Sequence, residues 1–135
     1  GVKIIRDTIQ TMGLPADRFV FTNPSGLNRD NRIRPKDLHD ILVNIQKDFD
    51  YFPENLVAYP IAGVDGTLKS RMRGGAAAGW VRAKTRLLTG VVGLAGYAGR
   101  KDGTVMPFVM IYNGPGTFNE SARRLFDQLA LDLVQ

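Results

Sequence analysis

Three stretches typical of strands follow one another in the second half of the chain, at residues 80–86, 91–98 and 105–112, and the first of them alternates between apolar and polar residues. This period of two is typical of β-strands. The second connection, residues 99–103, has glycine at both ends and is typical of a hairpin loop. Strands joined this closely pair antiparallel, so the region predicts a three-stranded meander.

The end of the chain predicts a helix that packs on this sheet. Thr117 and Glu120 have the spacing of a capping box. The helix that follows would bury one apolar face, formed by Ala122, Leu125, Phe126, Leu129 and Leu133. No repeat or linker interrupts the sequence, so we expect residues 1–135 to form a single α+β unit.

Two helices and a short strand are predicted before the sheet. Residues 2–12 have helical spacing up to Gly13, and residues 18–22 are typical of a strand. A second helix begins at Pro35, with an apolar stripe of Leu38, Ile41, Leu42 and Ile45. Residues 51–72 are interpreted as irregular, with a tight turn at Asp65-Gly66.

The composition excludes several kinds of catalytic site. The chain has no cysteine and one histidine, His39, which rules out thiolate chemistry and argues against a histidine-based triad or metal site. Its net charge of +5 favours anionic partners without choosing among them.

Positive charge is concentrated between residues 69 and 86, a segment without a single acid. Alternation along residues 80–86 places Trp80, Arg82, Lys84 and Arg86 on one strand face, and Val81, Ala83 and Thr85 on the other. Such a row of cations forms either a solvated face or the wall of a site for an anion. The segment lacks the interleaved aromatic residues of a nucleic-acid surface, so we do not expect nucleic acid as the partner.

Three blocks of sequence together resemble one known family. They are PSGLNRDN at residues 24–31, PIAGVDGTL at 60–68, and AKT at 83–85 followed by LTGV at 88–91 and LAGY at 94–97. They are similar to the patterns D-G-S-G-L-S-R-x-N, L-P-x-A-G-x-D-G-T-L and A-K-T-G-T-L-x-G-V…L-A-G-Y. These patterns belong to the class C low-molecular-mass penicillin-binding proteins, the D-alanyl-D-alanine carboxypeptidases and endopeptidases of peptidoglycan.

The resemblance implies the penicillin-recognising, β-lactamase-type fold and cleavage of D-Ala-D-Ala through a serine acyl-enzyme, outside the cytoplasmic membrane and without metal or cofactor. It implies three partners: the peptidoglycan stem peptide, a β-lactam as inhibitor of the intact enzyme, and the N-terminal portion of the same polypeptide. Lys84 takes the catalytic lysine position of the K-T-G motif. Residues at the substrate carboxylate are then Thr85, Arg86, Leu87 and Thr89.

Three departures from the family pattern affect the catalytic motifs. None of Ser25, Ser70 and Ser121 begins an S-x-x-K or S-x-N motif. In the family both motifs precede the S-G-L block. We therefore expect this chain to be the C-terminal part of the enzyme, inactive alone, with the nucleophile supplied by a missing N-terminal part. The alternative is a degenerate homologue that binds peptidoglycan or a protein without cleaving it.

The other two departures lie in the K-T-G motif itself. Arg86 replaces its glycine and Leu87 replaces the threonine that follows. Glycine lets a substrate backbone lie close to the strand, and an arginine side chain takes up that room. Arg86 could instead bind an anionic group, because a guanidinium matches carboxylate geometry.

Overall fold

The computed structural model describes residues 34–135. Its helices are α1 (Pro35–Gln46), α2 (Phe52–Val57) and α3 (Asn119–Val134), and its strands are β1 (Val81–Leu88), β2 (Val91–Gly99) and β3 (Val105–Asn113). The sheet has the order β1-β2-β3 with both pairs antiparallel, so the predicted meander and terminal helix are confirmed. The helix predicted at residues 2–12, the strand at 18–22 and the block at 24–31 lie outside the described residues.

Each strand is one residue longer than the sequence predicts, and β1 ends at Leu88, which leaves only Thr89 and Gly90 to connect β1 to β2. Gly90 has a φ of 78°, a conformation that favours glycine. Asn119 holds this turn from the start of α3. Its Nδ2 donates to the Leu88 carbonyl oxygen at 2.9 Å, and its Oδ1 accepts from the Gly90 N–H at 3.2 Å.

The main core lies between α3 and one face of the sheet. Ala122, Phe126 and Ala130 of α3 are buried there. Their partners on the sheet side are Val81, Ala83, Val92, Leu94, Ala98 and Phe108. The prediction that Leu125 and Leu129 are buried is wrong: they are 54% and 40% exposed. The small residue Ala130 allows α3 to approach the sheet closely, and this rotates both leucines to the outer side.

The predicted capping box is also wrong. The structure places Thr117 in a single 3₁₀ turn, Gly116–Phe118, and α3 begins at Asn119 without a side-chain cap. Glu120 instead forms ion pairs with Arg123 and Arg124 of the same helix. Thr117 cannot act as the cap because it lies inside the 3₁₀ turn, one residue before the N-cap position that Phe118 occupies.

The opposite face of the sheet is covered by α1 and α2. The Tyr97 hydroxyl donates to the Leu42 carbonyl oxygen at 2.7 Å, and Gln46 Nε2 donates to the Val105 carbonyl oxygen at 3.0 Å. Leu42 and Ile45 are buried as predicted, whereas Leu38 and Ile41 are only partly buried. Helix α2 corrects the prediction of an irregular segment; its second residue, Pro53, suits a helical first turn.

Residues 60–79 run along the outer edge of β1. The Ala62 N–H donates to the Val81 carbonyl oxygen at 2.9 Å, and the Ala83 N–H donates to the Pro60 carbonyl oxygen at 3.1 Å. The predicted turn at Asp65-Gly66 is confirmed, since Asp65 Oδ1 accepts from the Ile61 N–H at 2.8 Å. None of the helices between residues 34 and 135 has the length and apolar character needed to cross a membrane.

Candidate functional site

A cleft of about 620 Å³ opens on the sheet face that is opposite α3. We call it the basic cleft. Its lining includes Leu38 and Leu42 from α1, Tyr59, and Lys84 and Arg86 from β1, with Ile111 of β3 at its floor. The cleft is therefore largely apolar with two cations on one wall, a combination that suits a ligand with an anionic end.

The alternation of β1 places these two cations in the cleft. Val81 and Ala83 are completely buried against the α3 side, whereas Lys84 is exposed on the other side. Arg82, Lys84 and Arg86 lie opposite Tyr97, Ala95 and Gly93 of β2. The predicted division of the strand into a basic and an apolar face is confirmed.

Lys84 carries its charge without a counter-ion in the described part of the chain. No carboxylate of residues 34–135 forms an ion pair with its ammonium group. An exposed ammonium beside an apolar wall attracts anions, because the wall displaces the water that would screen the charge.

Arg86 is accommodated by a glycine on the neighbouring strand. A Cβ at Gly93 would lie 3.3 Å from the Cβ of Arg86. Glycine at position 93 thus leaves room for the first part of the arginine side chain. The arginine that replaces the motif glycine is part of the cleft lining.

Thr85 lines the cleft, but its hydroxyl group points to the segment at the strand edge, where it donates to Thr67 Oγ1 at 3.0 Å. The direction of the Thr85 backbone N–H follows from the hydrogen bonds of residues earlier in β1. The Trp80 carbonyl oxygen accepts from Gly99 of β2, whereas Ala83 bonds to Pro60 on the outer side. Because these directions alternate along an antiparallel strand, the N–H groups of Thr85 and Leu87 face the outer edge.

This outer edge is open beyond Ala83 within residues 34–135, because the bridge to residues 60–62 ends there and β1 is the first strand of the sheet. An open strand edge presents unpaired N–H and C=O groups to any extended peptide that lies beside it. The edge and the basic cleft adjoin the same residues of β1.

The side chains of Leu87 and Thr89 are not part of the cleft lining. Leu87 is 58% exposed and lies on the strand face that also carries Val81 and Ala83. Thr89 lies in the β1–β2 turn, where its methyl group is close to Gly116. The structure thus brings Lys84, Thr85 and Arg86 together and leaves the other two side chains apart.

Sequence reasoning missed Tyr59, which lines the cleft together with Lys84. Its ring centroid is 6.1 Å from that of Tyr97, which in turn contacts Phe52 edge-to-face at 4.9 Å. Burial raises the pKa of Tyr97, and the nearby Tyr59 and Tyr51 add to the effect, so Tyr97 stays a hydrogen-bond donor to α1. The only sequence signal for Tyr59 is that it immediately precedes the PIAGVDGTL block.

A model of the D-Ala-D-Ala carboxypeptidase 3 (S13) family matches residues 1–132 of the chain. The chain belongs to this family. Carboxypeptidase DacB of Mycolicibacterium smegmatis is 34% identical over 127 residues, which are 90% of this chain and 28% of that protein. D-alanyl-D-alanine carboxypeptidase DacB of Haemophilus influenzae is also 34% identical, over 87% of this chain and 25% of the relative. The chain therefore spans about a quarter of the length of these two relatives.

Solved structures show the same fold. Penicillin-binding protein 4 (dacB) of Haemophilus influenzae superposes with a TM-score of 0.76 at 28% identity, covering 93% of this chain and 30% of that chain. A predatory endopeptidase of Bdellovibrio bacteriovorus, solved in complex with an immunity protein, has a TM-score of 0.75 at 20% identity, covering 99% and 37%. The family resemblance and the fold class predicted from the sequence are confirmed.

Proposed function

We propose that this chain is the C-terminal part of the DD-peptidase domain of a serine D-Ala-D-Ala carboxypeptidase or endopeptidase. It supplies the wall that binds the substrate carboxylate, and the remainder of the same polypeptide supplies the nucleophilic serine. The observation that carries this proposal is the exposed ammonium of Lys84 in the basic cleft, beside a strand edge that has no backbone partner beyond Ala83 among residues 34–135. Family membership supports it.

The geometry suits a peptide that ends in a carboxylate. An extended stem peptide pairs with the open edge of β1, and its terminal carboxylate lies near the ammonium group of Lys84. The serine oxygen then bonds to the carbonyl carbon of the penultimate D-Ala, and the peptide bond breaks to release D-Ala. Water hydrolyses the resulting ester and restores the serine.

Backbone N–H groups on the same edge could stabilise the negative charge that develops on the carbonyl oxygen during this step. Attack of the serine converts the carbonyl oxygen into an oxyanion, which is stabilised by fixed N–H donors at about 2.7–3.1 Å. The N–H groups of Thr85 and Leu87 face the side on which the peptide would lie. In this proposal Leu87 therefore acts through its backbone, which makes the loss of the motif threonine less damaging. The hydroxyl of Thr89, one turn further on, would contact only a substrate that extends beyond the strand.

The proposed partners are the peptidoglycan stem peptide and the remainder of the polypeptide, with a β-lactam as inhibitor. One of the matched structures of penicillin-binding protein 4 is a complex with a β-lactam, at 28% identity and a TM-score of 0.76. Action on peptidoglycan places the proposed enzyme outside the cytoplasmic membrane.

The test is Lys84→Ala in the full-length polypeptide that contains this chain. We expect acylation by a fluorescent penicillin and release of D-Ala from a D-Ala-D-Ala peptide to fall by about 100-fold or more, as for other preorganised charge contacts. Lys101→Ala, in the exposed β2–β3 hairpin, is the matched control. Unchanged acylation of the Lys84→Ala protein would contradict the proposed role, and so would acylation of the isolated 135-residue chain.

A second candidate function is binding of peptidoglycan or protein without cleavage. The observation that favours it is the Arg86 side chain, which occupies part of the cleft where the family motif has glycine. Arg86→Gly in the full-length polypeptide separates the two functions. A wild-type protein that releases no D-Ala, and gains release on this substitution, is a binding protein. A loss of release instead identifies Arg86 as a substrate contact of a working enzyme.

A further inference from the structure

Tyr59 is the residue of the basic cleft that the strand motif does not explain. The L-P-x-A-G-x-D-G-T-L pattern has leucine at this position, so the phenol is a departure of this chain. Leucine would offer the cleft only an apolar surface. Tyrosine brings a side chain with a hydroxyl group to a cleft whose lining also includes Lys84.

The backbone holds Tyr59 beside β1. The next residue, Pro60, accepts a hydrogen bond from the Ala83 N–H at 3.1 Å, and Ala83 immediately precedes Lys84. On the other side, the Tyr59 N–H donates to the Leu56 carbonyl oxygen at 3.3 Å. The ring packs near Tyr97, which is itself almost completely buried. Tyr59 is thus fixed in place before any ligand arrives, which lowers the entropy cost of binding.

The hydroxyl group of Tyr59 has a proton to donate. Asn55 Nδ2 donates to it at 3.4 Å, so in this contact the oxygen is the acceptor. None of the hydrogen bonds described among residues 34–135 has the Tyr59 hydroxyl as donor. A phenol that accepts from an amide is a better donor to an anion, because hydrogen bonds in a chain polarise one another.

We infer that the Tyr59 hydroxyl donates to the same ligand carboxylate as Lys84, and that Tyr59 is a specificity-determining residue for ligands with a free C-terminal acid. The inference rests on the proposed function for the identity of the ligand, a D-Ala-D-Ala peptide. Tyr59 would supply a hydroxyl donor that the strand motif of this chain lacks, because Leu87 stands in place of the motif threonine. A ligand that ends in a carboxamide carries no charge and gains little from this donor.

The experiment compares Tyr59→Phe with wild type in the full-length polypeptide. The probes are diacetyl-L-Lys-D-Ala-D-Ala and its C-terminal carboxamide. Equilibrium binding of both is followed by NMR titration, and kcat and KM for D-Ala release are measured separately. Tyr51→Phe is the matched control, because Tyr51 is exposed and is not part of the cleft lining.

We expect Tyr59→Phe to weaken binding of the free acid about tenfold and to raise its KM similarly, since a hydrogen bond to a charged group is lost. Binding of the carboxamide and kcat should stay within about twofold of wild type, because phenylalanine keeps the ring. Equal binding of the acid by both proteins would overturn the inference. Equal losses for acid and carboxamide would also overturn it, because they would show a merely structural role.

The outcomes separate this inference from the proposed function. Acid binding that depends on Tyr59, without any D-Ala release by wild type, supports the inference and overturns the enzyme. D-Ala release that Tyr59→Phe leaves unchanged overturns the inference alone. A wild-type protein that binds neither probe overturns both.

Discussion

The two faces of the sheet are made by the same strands but have opposite characters. On the α3 side, Val81 and Ala83 have no exposed surface and pack against apolar helix residues. On the cleft side, their neighbours Lys84 and Arg86 line a cavity. The step from Ala83 to Lys84 therefore moves a side chain from the core to the candidate site.

Neighbouring residues of β1 can therefore have different roles, because those on the α3 side stabilise the fold and those on the cleft side line the candidate site. Burial of apolar area supplies most of the folding free energy, and here it is concentrated on the α3 side. The cleft side can carry charged residues that contribute little to folding. Substitutions of neighbouring residues should therefore change the free energy of unfolding by unequal amounts, large on the α3 side and small on the cleft side.

Phe126→Ala should have the largest effect. The side chain of Phe126 is 7% exposed in the core, and its removal leaves a cavity that should cost about 4 kcal/mol. Leu125→Ala, at the exposed neighbouring position, should cost less than about 1 kcal/mol. Urea unfolding of the 135-residue chain, followed by the fluorescence of Trp80, measures both changes. Similar losses for the two variants would show that α3 is rotated relative to the structure described here.

Gly96→Ala and Gly93→Ala compare the two faces on one strand. A Cβ at Gly96 would lie 2.1 Å from the Arg82 carbonyl oxygen and 2.6 Å from the Ala83 Cα, both of which are backbone atoms. We expect this overpacking to cost about 3 kcal/mol. A Cβ at Gly93 would lie 3.3 Å from the Arg86 Cβ and no closer than 3.9 Å to any backbone atom, so the substitution should cost less than about 1 kcal/mol. Urea midpoints that fall equally for both would contradict the assigned faces.

Tyr97→Phe tests the part of the cleft face that α1 covers. The substitution removes the hydroxyl that donates to the Leu42 carbonyl oxygen but keeps the ring, so it should cost about 1 kcal/mol. The thermal unfolding midpoint measures this change, with the exposed Tyr51→Phe as control. A midpoint equal to that of wild type would mean that α1 is held to the sheet by its apolar contacts alone.

Lys84→Ala should have the smallest effect on folding. The Lys84 side chain is exposed, and no described residue forms an ion pair with it, so the free energy of unfolding should change by less than about 0.5 kcal/mol. The same variant is expected to lose acylation in the full-length polypeptide. A stability loss of several kcal/mol would make Lys84 a structural residue and would remove the basis of the proposed site.

Much of the fold could be predicted because β-strand periodicity depends on local sequence. The alternation in residues 80–86 correctly separated Lys84 and Arg86 from Val81 and Ala83. Helix α3 was placed nearly correctly, but its inner face was not. Leucine and alanine are both common in protein cores, so the sequence alone does not show which of the two faces the sheet. In the structure Ala130 is buried and Leu129 is 40% exposed, because α3 lies close to the sheet.

Only the part of the candidate site that lies on one strand could be predicted from the sequence. Lys84, Thr85 and Arg86 are neighbours on one strand, so a motif could place them together. Tyr59 is 25 positions before Lys84, in a segment without periodicity, and it enters the cleft through the bridge between Pro60 and Ala83. No local pattern predicts that contact, because it depends on the path of the chain through residues 60–79.

The register of β1 also limits how this site can change in evolution. The strand is held near one end by the bond between Ala83 and Pro60 and at the other by the turn that Asn119 clamps. Insertion or deletion of one residue between these points would move the residues on one side of it to the opposite face of the sheet. If the proposed site is correct, its specificity would change by substitution at cleft residues such as Tyr59 and Arg86, while the length of the strand would stay the same.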